Sequence, residues 1–321
     1  MTSHPVADLL RARRAEDSVP GARHDPHRVA LVLEGGGMRG VVSAGMTAAL
    51  ERLRLTPCFD LVVGSSAGAL NAAALLAGVA QPAAAMYHGI LASRQFVNPA
   101  RLLVGRPALD VSFVLAHVSA DIDDGRHVRT IESPIPLHCV ALDVETAKPA
   151  EFTGMRTRDD LVRVLLATTR MPLVGGPPVP IDGRRYIDGA LSCPIPVSTA
   201  LDAGATHVLV LQTRPQGVPR TAGSRLGETL VERHLRRLNP ELAAVWRGRA
   251  AAYEELVDDI GRRSRSPDRA PPYVLGLRPP AGTPVVAQLE RRPEVLAQAA
   301  ADGQRLVEDA LGFATPAAVA P

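Results

Sequence analysis

The sequence predicts an α/β protein in which a mostly parallel central sheet is covered by helices on both faces. Runs such as Val29–Leu33 and His207–Gln212 are apolar at consecutive positions, which is typical of strands buried on both faces. Helical segments alternate with these strands, as they do in parallel sheets. In addition, Val29–Leu33 and Phe59–Val63 each pass through a glycine-containing turn into a helix.

Composition limits the classes of protein and partner. The 321 residues, 46% of them hydrophobic and 21% charged, suffice for one large domain or two small ones. A net charge of +3 and an aromatic content of 3% argue against nucleic acid as a partner. Three widely spaced cysteines offer neither a disulfide framework nor a metal-ligand spacing, so we expect a reducing compartment and no metal or cofactor.

No targeting or spanning segment is evident. No apolar run is long enough for a membrane span, and the N-terminus lacks the apolar core of a signal peptide. We therefore expect a cytoplasmic protein that meets membranes only at their surface.

Shifts in composition divide the chain into five parts. These are a polar, mobile N-terminal extension (1–28), a main α/β domain (29–215), a helical insertion or elaboration (216–271), the closing strand and helix of the same domain (272–313) and an Ala/Pro tail (314–321).

The first half of the chain alternates strands and helices. The two strands above precede helices, and further helical segments follow before residue 124; the predicted helices are Val41–Leu53, Ala67–Gly78, Pro82–Ser93 and a short one around Val111–His117.

The second half continues the alternation and adds hairpins. Pro172 ends one helix, and Asp182-Gly183 forms a hairpin turn. The predicted strands are Ile135–Leu142, Pro149–Phe152, Val179–Ile181, Arg184–Ile187, His207–Gln212 and Tyr273–Leu277; the predicted helices are Thr157–Thr169, Pro196–Ala203, an Arg-rich segment over 225–263 broken at Asn239-Pro240, and Pro293–Leu311.

Ser66 lies in the motif Gly64-Ser65-Ser66-Ala67-Gly68, which fits Gly-x-Ser-x-Gly between a strand and a helix. In that context the motif makes a nucleophile elbow. The strained turn leaves room only for glycine at Gly64 and Gly68. The Ser66 hydroxyl then stands at the positive end of the next helix, where negative charge is stabilised.

A second motif, Gly35-Gly36-Gly37-Met38-Arg39-Gly40, exposes successive backbone amides before a helix. A dinucleotide site would require an acidic residue at the end of the second strand, but Asp60 lies at its beginning. A phosphate-binding P-loop would require a Lys-Ser/Thr pair, which is missing. An oxyanion hole remains, beside Ser66 in the crevice where parallel strands end, together with the alternative of a turn that serves packing alone.

Asp188, followed by Gly189, lies at the end of a predicted strand. An Asp-Gly pair there is most often a turn, and its functional interpretation is a general base for a serine. Of the histidines only His207 and His234 come after Asp188, and neither lies in a loop after the last strand. The residues leave open both a base that acts on Ser66 directly and a Ser–Asp–His triad.

The three motifs in this order resemble those of the patatin-like phospholipases, over about Val29–Gln212. The resemblance implies a three-layer α/β/α fold and a lipid acyl hydrolase without histidine or cofactor, acting on phospholipid or acylglycerol. Its implied site comprises Ser66 as nucleophile, Asp188 as general base, the amides of Gly36 and Gly37 with Gly35 beside them as oxyanion hole, and the motif glycines Gly40, Gly64, Gly68 and Gly189.

The resemblance also assigns a basic position to Arg39, where it steadies the glycine loop or meets a phosphate. Two departures are visible. Glu34 stands where many members have Asp, and Thr168-Thr169-Arg170-Met171-Pro172 stands where members often show Ala-Ser and Pro, which is expected to reshape the acyl pocket.

Two segments bear on access to this site. The Arg-rich amphipathic stretch Val231–Arg263 either packs its apolar side on the core, the favoured interpretation, or lies on an anionic membrane. Residues Arg94–Asp124, with Phe96 and Phe113, are candidates for a cap. The functional alternatives are an α/β-hydrolase-type esterase or peptidase with a triad, and a non-catalytic lipid-binding protein on the same fold.

Overall fold

An eight-stranded sheet forms the centre of the computed structural model, which describes residues 4–113, 125–220, 223–267 and 269–312. The strands are β1 (Val29–Leu33), β2 (Leu61–Ser65), β3 (Leu137–Asp143), β4 (Pro149–Phe152), β5 (Val179–Ile181), β6 (Arg184–Asp188), β7 (His207–Leu211) and β8 (Tyr273–Leu277).

The strand order is β5-β6-β3-β2-β1-β7-β8, with β4 paired to β3. Strands β1, β2, β3, β7 and β8 run parallel to their neighbours in this group, whereas β4, β5 and β6 pair in antiparallel fashion. The carboxyl ends of the five parallel strands therefore meet at one edge, where ligands bind in open α/β sheets.

Helices cover the sheet. They are α1 (Pro5–Ala15), α2 (Val41–Arg52), α3 (Ala67–Leu76), α4 (Ala80–His88), α5 (Arg126–Ile131), α6 (Arg158–Thr168), α7 (Val197–Asp202), α8 (Arg225–Leu238), α9 (Pro240–Arg265) and α10 (Pro293–Leu311), with short 3₁₀ turns that include Gly37–Gly40, Ile90–Ala92, Pro99–Val104 and Gly189–Leu191.

Alternate residues of the central strands face two separate cores. Leu31 and Leu33 of β1 belong to the core shared with α2 and α10, and Ala30 and Val32 belong to the core that contains Val257 of α9. All of β1 is buried, as its uninterrupted apolar sequence predicts. The three-layer α/β/α fold with a mostly parallel sheet is confirmed.

Most predicted elements are present, with shifts at their ends. The second strand continues to Ser65 rather than ending at Val63, and the helix predicted to reach Ser93 ends at His88 before Gly89. Of the short helix predicted around Val111–His117, residues 111–113 are helical, and the remainder lies outside the described residues. The whole predicted tail and residues 114–124 of the cap candidate also lie outside them.

The N-terminal segment corrects the sequence prediction. Residues 1–28 were expected to be a mobile polar extension, but Pro5–Ala15 form α1, whose Val6 and Leu10 are fully buried. Arg13 is also buried, and it binds Asp25 (2.8 Å) and Asp60 (2.7 Å) through ion pairs. The polar composition concealed an amphipathic helix whose charges are neutralised by partners distant in the chain.

Helix α9 and the second half of α8 pack apolar side chains on the protein, whereas Leu226 and Leu230 of α8 are exposed. Asn239 ends α8 and caps α9, at the predicted break. Leu235, Leu242 and Ile260 are buried. The favoured interpretation of the Arg-rich stretch is confirmed. None of the helices in the described ranges combines the length and apolar composition needed to cross a bilayer.

Helices α2 and α10 approach each other closely at two glycines. A Cβ atom added to Gly45 would lie 2.0 Å from the carbonyl oxygen of Ala300, and one added to Gly303 would lie 2.3 Å from that of Val42. Backbone atoms occupy these positions, so a side chain has no room unless the helices separate.

The α2–α10 contact predicts the effect of two Gly→Ala substitutions. Gly45→Ala should lower the free energy of unfolding by at least about 2–3 kcal/mol, because overpacking against backbone forces the helices apart. Gly248→Ala in α9 is the matched control: its Cβ meets nothing within 4 Å, so it should stabilise the protein by about 0.5–1 kcal/mol. Urea unfolding measures both; equal effects would contradict the close approach.

The Arg13 cluster predicts a large loss of stability on truncation. Arg13→Met should lower the free energy of unfolding by about 3 kcal/mol, because it leaves Asp25 and Asp60 without their buried cation. Arg11→Met on the same helix removes a half-exposed ion pair and one hydrogen bond to the Leu311 carbonyl, and it should cost no more than about 1 kcal/mol. Thermal and urea unfolding of both variants provide the measurement, and a small effect at Arg13 would refute the role given to α1.

Candidate active site

Ser66 lies in a sharp turn between β2 and α3. Its φ of 54° places it in the left-handed region, and its side chain is almost fully buried. A Cβ atom at Gly64 would lie 2.6 Å from Cα of Ala69, and one at Gly68 would lie 2.4 Å from the carbonyl oxygen of Leu33. The crowding explains why both flanking positions are glycine, as the elbow motif predicts.

The register of β3 brings Asp188 to Ser66. Ser65 of β2 pairs with Val140, and Asp188 of β6 pairs with Ala141, the next residue of the same strand. Along β3, Asp188 therefore pairs at the position directly after the last residue of β2. Its Oδ2 accepts a hydrogen bond from Ser66 Oγ at 2.8 Å, although the two residues are 122 positions apart.

The second carboxylate oxygen of Asp188 is also held. Oδ1 accepts a hydrogen bond from the backbone N–H of Ala190 at 2.8 Å, in the turn that opens at Gly189. Burial raises the pKa of Asp188 to about 6, and the hydrogen bonds from Ala190 and Ser66 partly oppose this shift. Asp188 is therefore a carboxylate fixed in orientation and more basic than usual.

Thr168, at the end of α6, fixes the backbone of the elbow. Its Oγ1 accepts a hydrogen bond from the Ser66 N–H at 2.9 Å and donates to the carbonyl of Val140. In the sequence Thr168 is visible only as a departure from the expected Ala-Ser, and nothing in the pattern assigns it a contact with Ser66. The amide of Ser66 is consequently occupied within the fold.

The glycine loop lies directly against Ser66. A Cβ atom at Gly35 would lie 2.9 Å from Cβ of Ser66. The Gly35 N–H donates to the carbonyl of Pro194 at 3.0 Å, and the Met38 N–H donates to that of Gln288 at 3.1 Å. Between them, the N–H groups of Gly36 and Gly37 have no acceptor among the described residues.

The hydrogen bond made by the Gly35 N–H reduces the predicted oxyanion-hole amides to two. Gly35 is beside the other two, as expected, but its own N–H is engaged. The N–H groups open to a ligand's oxygen are those of Gly36 and Gly37. Gly37 has a φ of 59°, which favours glycine at that position.

Arg39 is buried beneath the glycine loop. Its Nε donates to Thr213 Oγ1 at 3.1 Å, and a Cβ atom at Gly36 would lie 3.2 Å from its Nη2. Burial lowers the pKa of Arg39, and the nearby Glu34 carboxylate opposes that shift. The contact with Gly36 fits the loop-supporting role that the resemblance implies.

Glu34 links the glycine loop to the added helices. One carboxylate oxygen accepts from the Thr213 N–H, and the other accepts from the Tyr253 hydroxyl of α9 at 2.9 Å. Both carboxylate oxygens of Glu34, whose side chain is longer than that of the usual Asp, therefore accept hydrogen bonds.

The two candidate histidines lie away from Ser66. His207 begins β7 and pairs with Val29, whereas Gly64 pairs with Leu33 four residues further along β1, a distance of about 13 Å along the sheet. Burial lowers the pKa of His207 to about 4. Within the described part of the chain, no histidine lines the cavities that contain Ser66.

Two cavities meet at Ser66, Gly37 and Met171. The narrower one, of about 40 Å³, has an apolar wall formed by Leu70, Tyr87, Leu91, Phe96, Leu109 and Val111. Part of the predicted cap thus lines the site, including Phe96. The wider one, of about 390 Å³, extends over the glycine loop and carries several charged side chains.

No metal site is visible among the residues that the structure describes. Among the described residues, no group of three or more His, Cys, Asp or Glu side chains is arranged to hold an ion. The expectation of a site without metal or cofactor stays a prediction.

Comparisons with known proteins relate the chain to a family model and to a bacterial protein. A family model described as Patatin-like phospholipase matches residues 31–201, more than half of the chain. A protein of Escherichia coli strain K12, named uncharacterized protein YjjU, is 29% identical over 192 residues. That alignment covers 59% of this chain and 53% of the relative, so the chain spans about half the length of that protein.

Two solved structures are similar in overall outline. VipD from Legionella pneumophila aligns with 12% identity over 90% of this chain and 67% of its own, with a TM-score of 0.45. Human GIVD cytosolic phospholipase A2 aligns with 13% identity over 96% of this chain and 62% of its own, with a TM-score of 0.48. The assignment rests on the family match rather than on these two structures. That match confirms the resemblance seen in the sequence, and the chain belongs to the patatin-like phospholipase family.

Proposed function

We propose that the protein hydrolyses lipid acyl esters with Ser66 as nucleophile and Asp188 as general base. The observation that carries this proposal is the 2.8 Å hydrogen bond from Ser66 Oγ to a buried carboxylate. A serine hydroxyl needs such an acceptor to become nucleophilic. The raised pKa of Asp188, about 6, favours proton acceptance near neutral pH while leaving the group ionised there.

The first half of the reaction forms an acyl-enzyme. Ser66 Oγ attacks the ester carbonyl carbon while its proton passes to Asp188. The carbonyl oxygen becomes an oxyanion, which the N–H groups of Gly36 and Gly37 stabilise. The intermediate then collapses: the bond to the alcohol oxygen breaks, and the leaving alcohol takes the proton from Asp188.

The second half releases the acid. Water attacks the acyl carbon, Asp188 accepts the proton from water, and the oxyanion forms again at the same amides. Collapse breaks the bond to Ser66 Oγ, which recovers the proton from Asp188. Losing one such amide donor typically costs about 2.7–4 kcal/mol of transition-state stabilisation.

The cavities support a lipid as substrate. The narrow apolar cavity begins at Ser66, and its wall of aliphatic and aromatic side chains suits an acyl chain. The ester carbonyl would then lie at the junction, with the alcohol part in the wider cavity. Phospholipid and acylglycerol both fit this arrangement, and contact with a membrane surface stays a prediction.

Substitution of the dyad tests the proposal. Hydrolysis of a short-chain p-nitrophenyl ester should fall at least about a thousandfold in Ser66→Ala and in Asp188→Asn, because each removes a group that acts in the transition state. His207→Gln and His234→Gln are the controls and should stay within about fivefold of the unsubstituted protein. Equal rates in all variants would indicate a non-catalytic lipid-binding protein, and a comparable loss in one histidine variant would indicate a triad.

The pH profile gives a second test. Because Asp188 must be ionised to accept the proton, kcat/KM should be half-maximal near pH 6 and fall about tenfold per pH unit below it. A profile that is flat from pH 5 to 8 would contradict the proposed base.

Protonation of Asp188 on this acid limb stabilises the folded state and so does not itself unfold the protein. A carboxyl group whose pKa is raised on folding destabilises the folded state above pH 6, and that cost disappears as the pH falls toward 4. Asp188→Asn should remove this contribution, which thermal unfolding at pH 5 and pH 8 measures.

A further inference from the structure

The wider cavity beside Ser66 is lined by four arginines. They come from the glycine loop, from the segment after β7 and from α9: Arg39, Arg214, Arg220 and Arg249. Three carboxylates line the same cavity, namely Glu34, Asp188 and Glu228. The pairing among these groups decides which cations are available to a ligand.

Arg249 is already neutralised. Its Nη2 lies 2.6 and 2.7 Å from the two carboxylate oxygens of Glu228, and its guanidinium lies 3.4 Å from the centre of the Trp246 ring. Arg39 is hydrogen bonded beneath the glycine loop. Arg249 is therefore not free to bind a ligand, and Nε of Arg39 is already engaged by Thr213.

Arg214 and Arg220 differ from Arg39 and Arg249 in having buried N–H groups without a partner in the described part of the chain. Among the residues that the structure describes, neither forms an ion pair, and Nε of Arg214 and Nη1 of Arg220 are buried without a hydrogen-bond partner. The other side-chain hydrogen bonds of the two residues go to backbone carbonyls, of Pro219 and Ala190 respectively, and the backbone N–H of Arg220 donates to Glu254 Oε1 at 2.6 Å. Both guanidinium groups face the ring of Tyr253, at 5.8 and 5.5 Å from its centre.

Both residues are partly exposed, and the carboxylates of Glu34 and Asp188 act on Arg220. Each nevertheless buries an N–H group without an acceptor, which is unfavourable. Burial, together with the like charges of Arg249 and Arg39, lowers the pKa of Arg220 to about 10, so the group is still charged at neutral pH. An anion that enters the cavity would relieve this cost. The fork of N–H groups on a guanidinium matches the oxygens of a phosphate.

The position of Arg220 relates this anion to the ester. Arg220 donates to the Ala190 carbonyl at 3.2 Å, and the Ala190 N–H donates to Asp188, which accepts from Ser66. The narrow apolar cavity is lined by the same serine. An ester bound at Ser66 thus has an apolar compartment for its acyl part and a cationic compartment for its alcohol part.

We propose that Arg214 and Arg220 bind a phosphate group on the alcohol part of the substrate. This inference rests on the proposed function and narrows it: the substrate is a glycerophospholipid or its monoacyl form, and neutral acylglycerols are poor substrates. Tyr253 holds the two guanidinium groups on one ring, so α9 completes the compartment.

The test compares two soluble esters that differ only in the phosphate, dihexanoyl glycerophosphate and dihexanoylglycerol. The ratio of their kcat/KM values should favour the phosphate ester, and it should fall about ten- to a hundredfold in Arg214→Gln and in Arg220→Gln. Arg220→Lys should retain part of the ratio. Arg247→Gln, an exposed residue of α9, is the matched control and should leave the ratio unchanged.

An unchanged ratio in both Gln variants, or faster hydrolysis of the neutral ester by the unsubstituted protein, overturns the inference while the proposed function stands. If neither ester is hydrolysed, the proposed function fails. Binding of dihexanoyl glycerophosphate to the Ser66→Ala variant then tests the phosphate subsite independently of hydrolysis. Calorimetry with dihexanoyl glycerophosphate should then show binding that weakens at least tenfold when Arg220→Gln is added. Inorganic phosphate that binds as tightly as the lipid would assign the cavity to free phosphate and overturn the inference.

Discussion

The pairing of β3 with two successive partners is the constraint on which the site depends. Strand β2 pairs with β3 up to Val140, and β6 pairs with it from Ala141 onward. Because register in a sheet fixes which residues lie side by side, the end of β6 is placed against the end of β2. A shift of one residue would turn Asp188 to the opposite face and break its hydrogen bond to Ser66.

The elements that could be predicted from the sequence are those with local causes. The apolar run Val29–Leu33 is buried on both faces, and Gly64 and Gly68 flank a serine with positive φ. Each of these features depends on sterics or burial within a few residues, which a sequence displays directly. The ordered motifs likewise suffice to identify the family, as the match over residues 31–201 confirms.

The features that the sequence concealed depend on partners distant in the chain. Arg13 reads as a solvated residue of a polar tail, yet it is buried against Asp25 and Asp60. From the sequence, Thr168 is expected only to help reshape the acyl pocket, yet its hydroxyl accepts a hydrogen bond from the Ser66 N–H. Gly35 belongs to the glycines of the predicted oxyanion hole, yet its N–H donates to the carbonyl of Pro194. No periodicity or spacing encodes these pairings, because buried polar groups select their partners only after the chain is folded.

The added helices extend this dependence from the fold to the substrate. Tyr253 of α9 donates to Glu34 at the base of the glycine loop and faces the guanidinium groups of Arg214 and Arg220. One aromatic side chain therefore contacts both the proposed oxyanion-hole support and the proposed phosphate compartment. Replacement of Glu34 by the shorter Asp would withdraw the carboxylate from Tyr253 or from Thr213. Glu34 and helix α9 are thus joined by the hydrogen bond from Tyr253. Through this contact, the shape of the proposed phosphate compartment depends on the glycine loop.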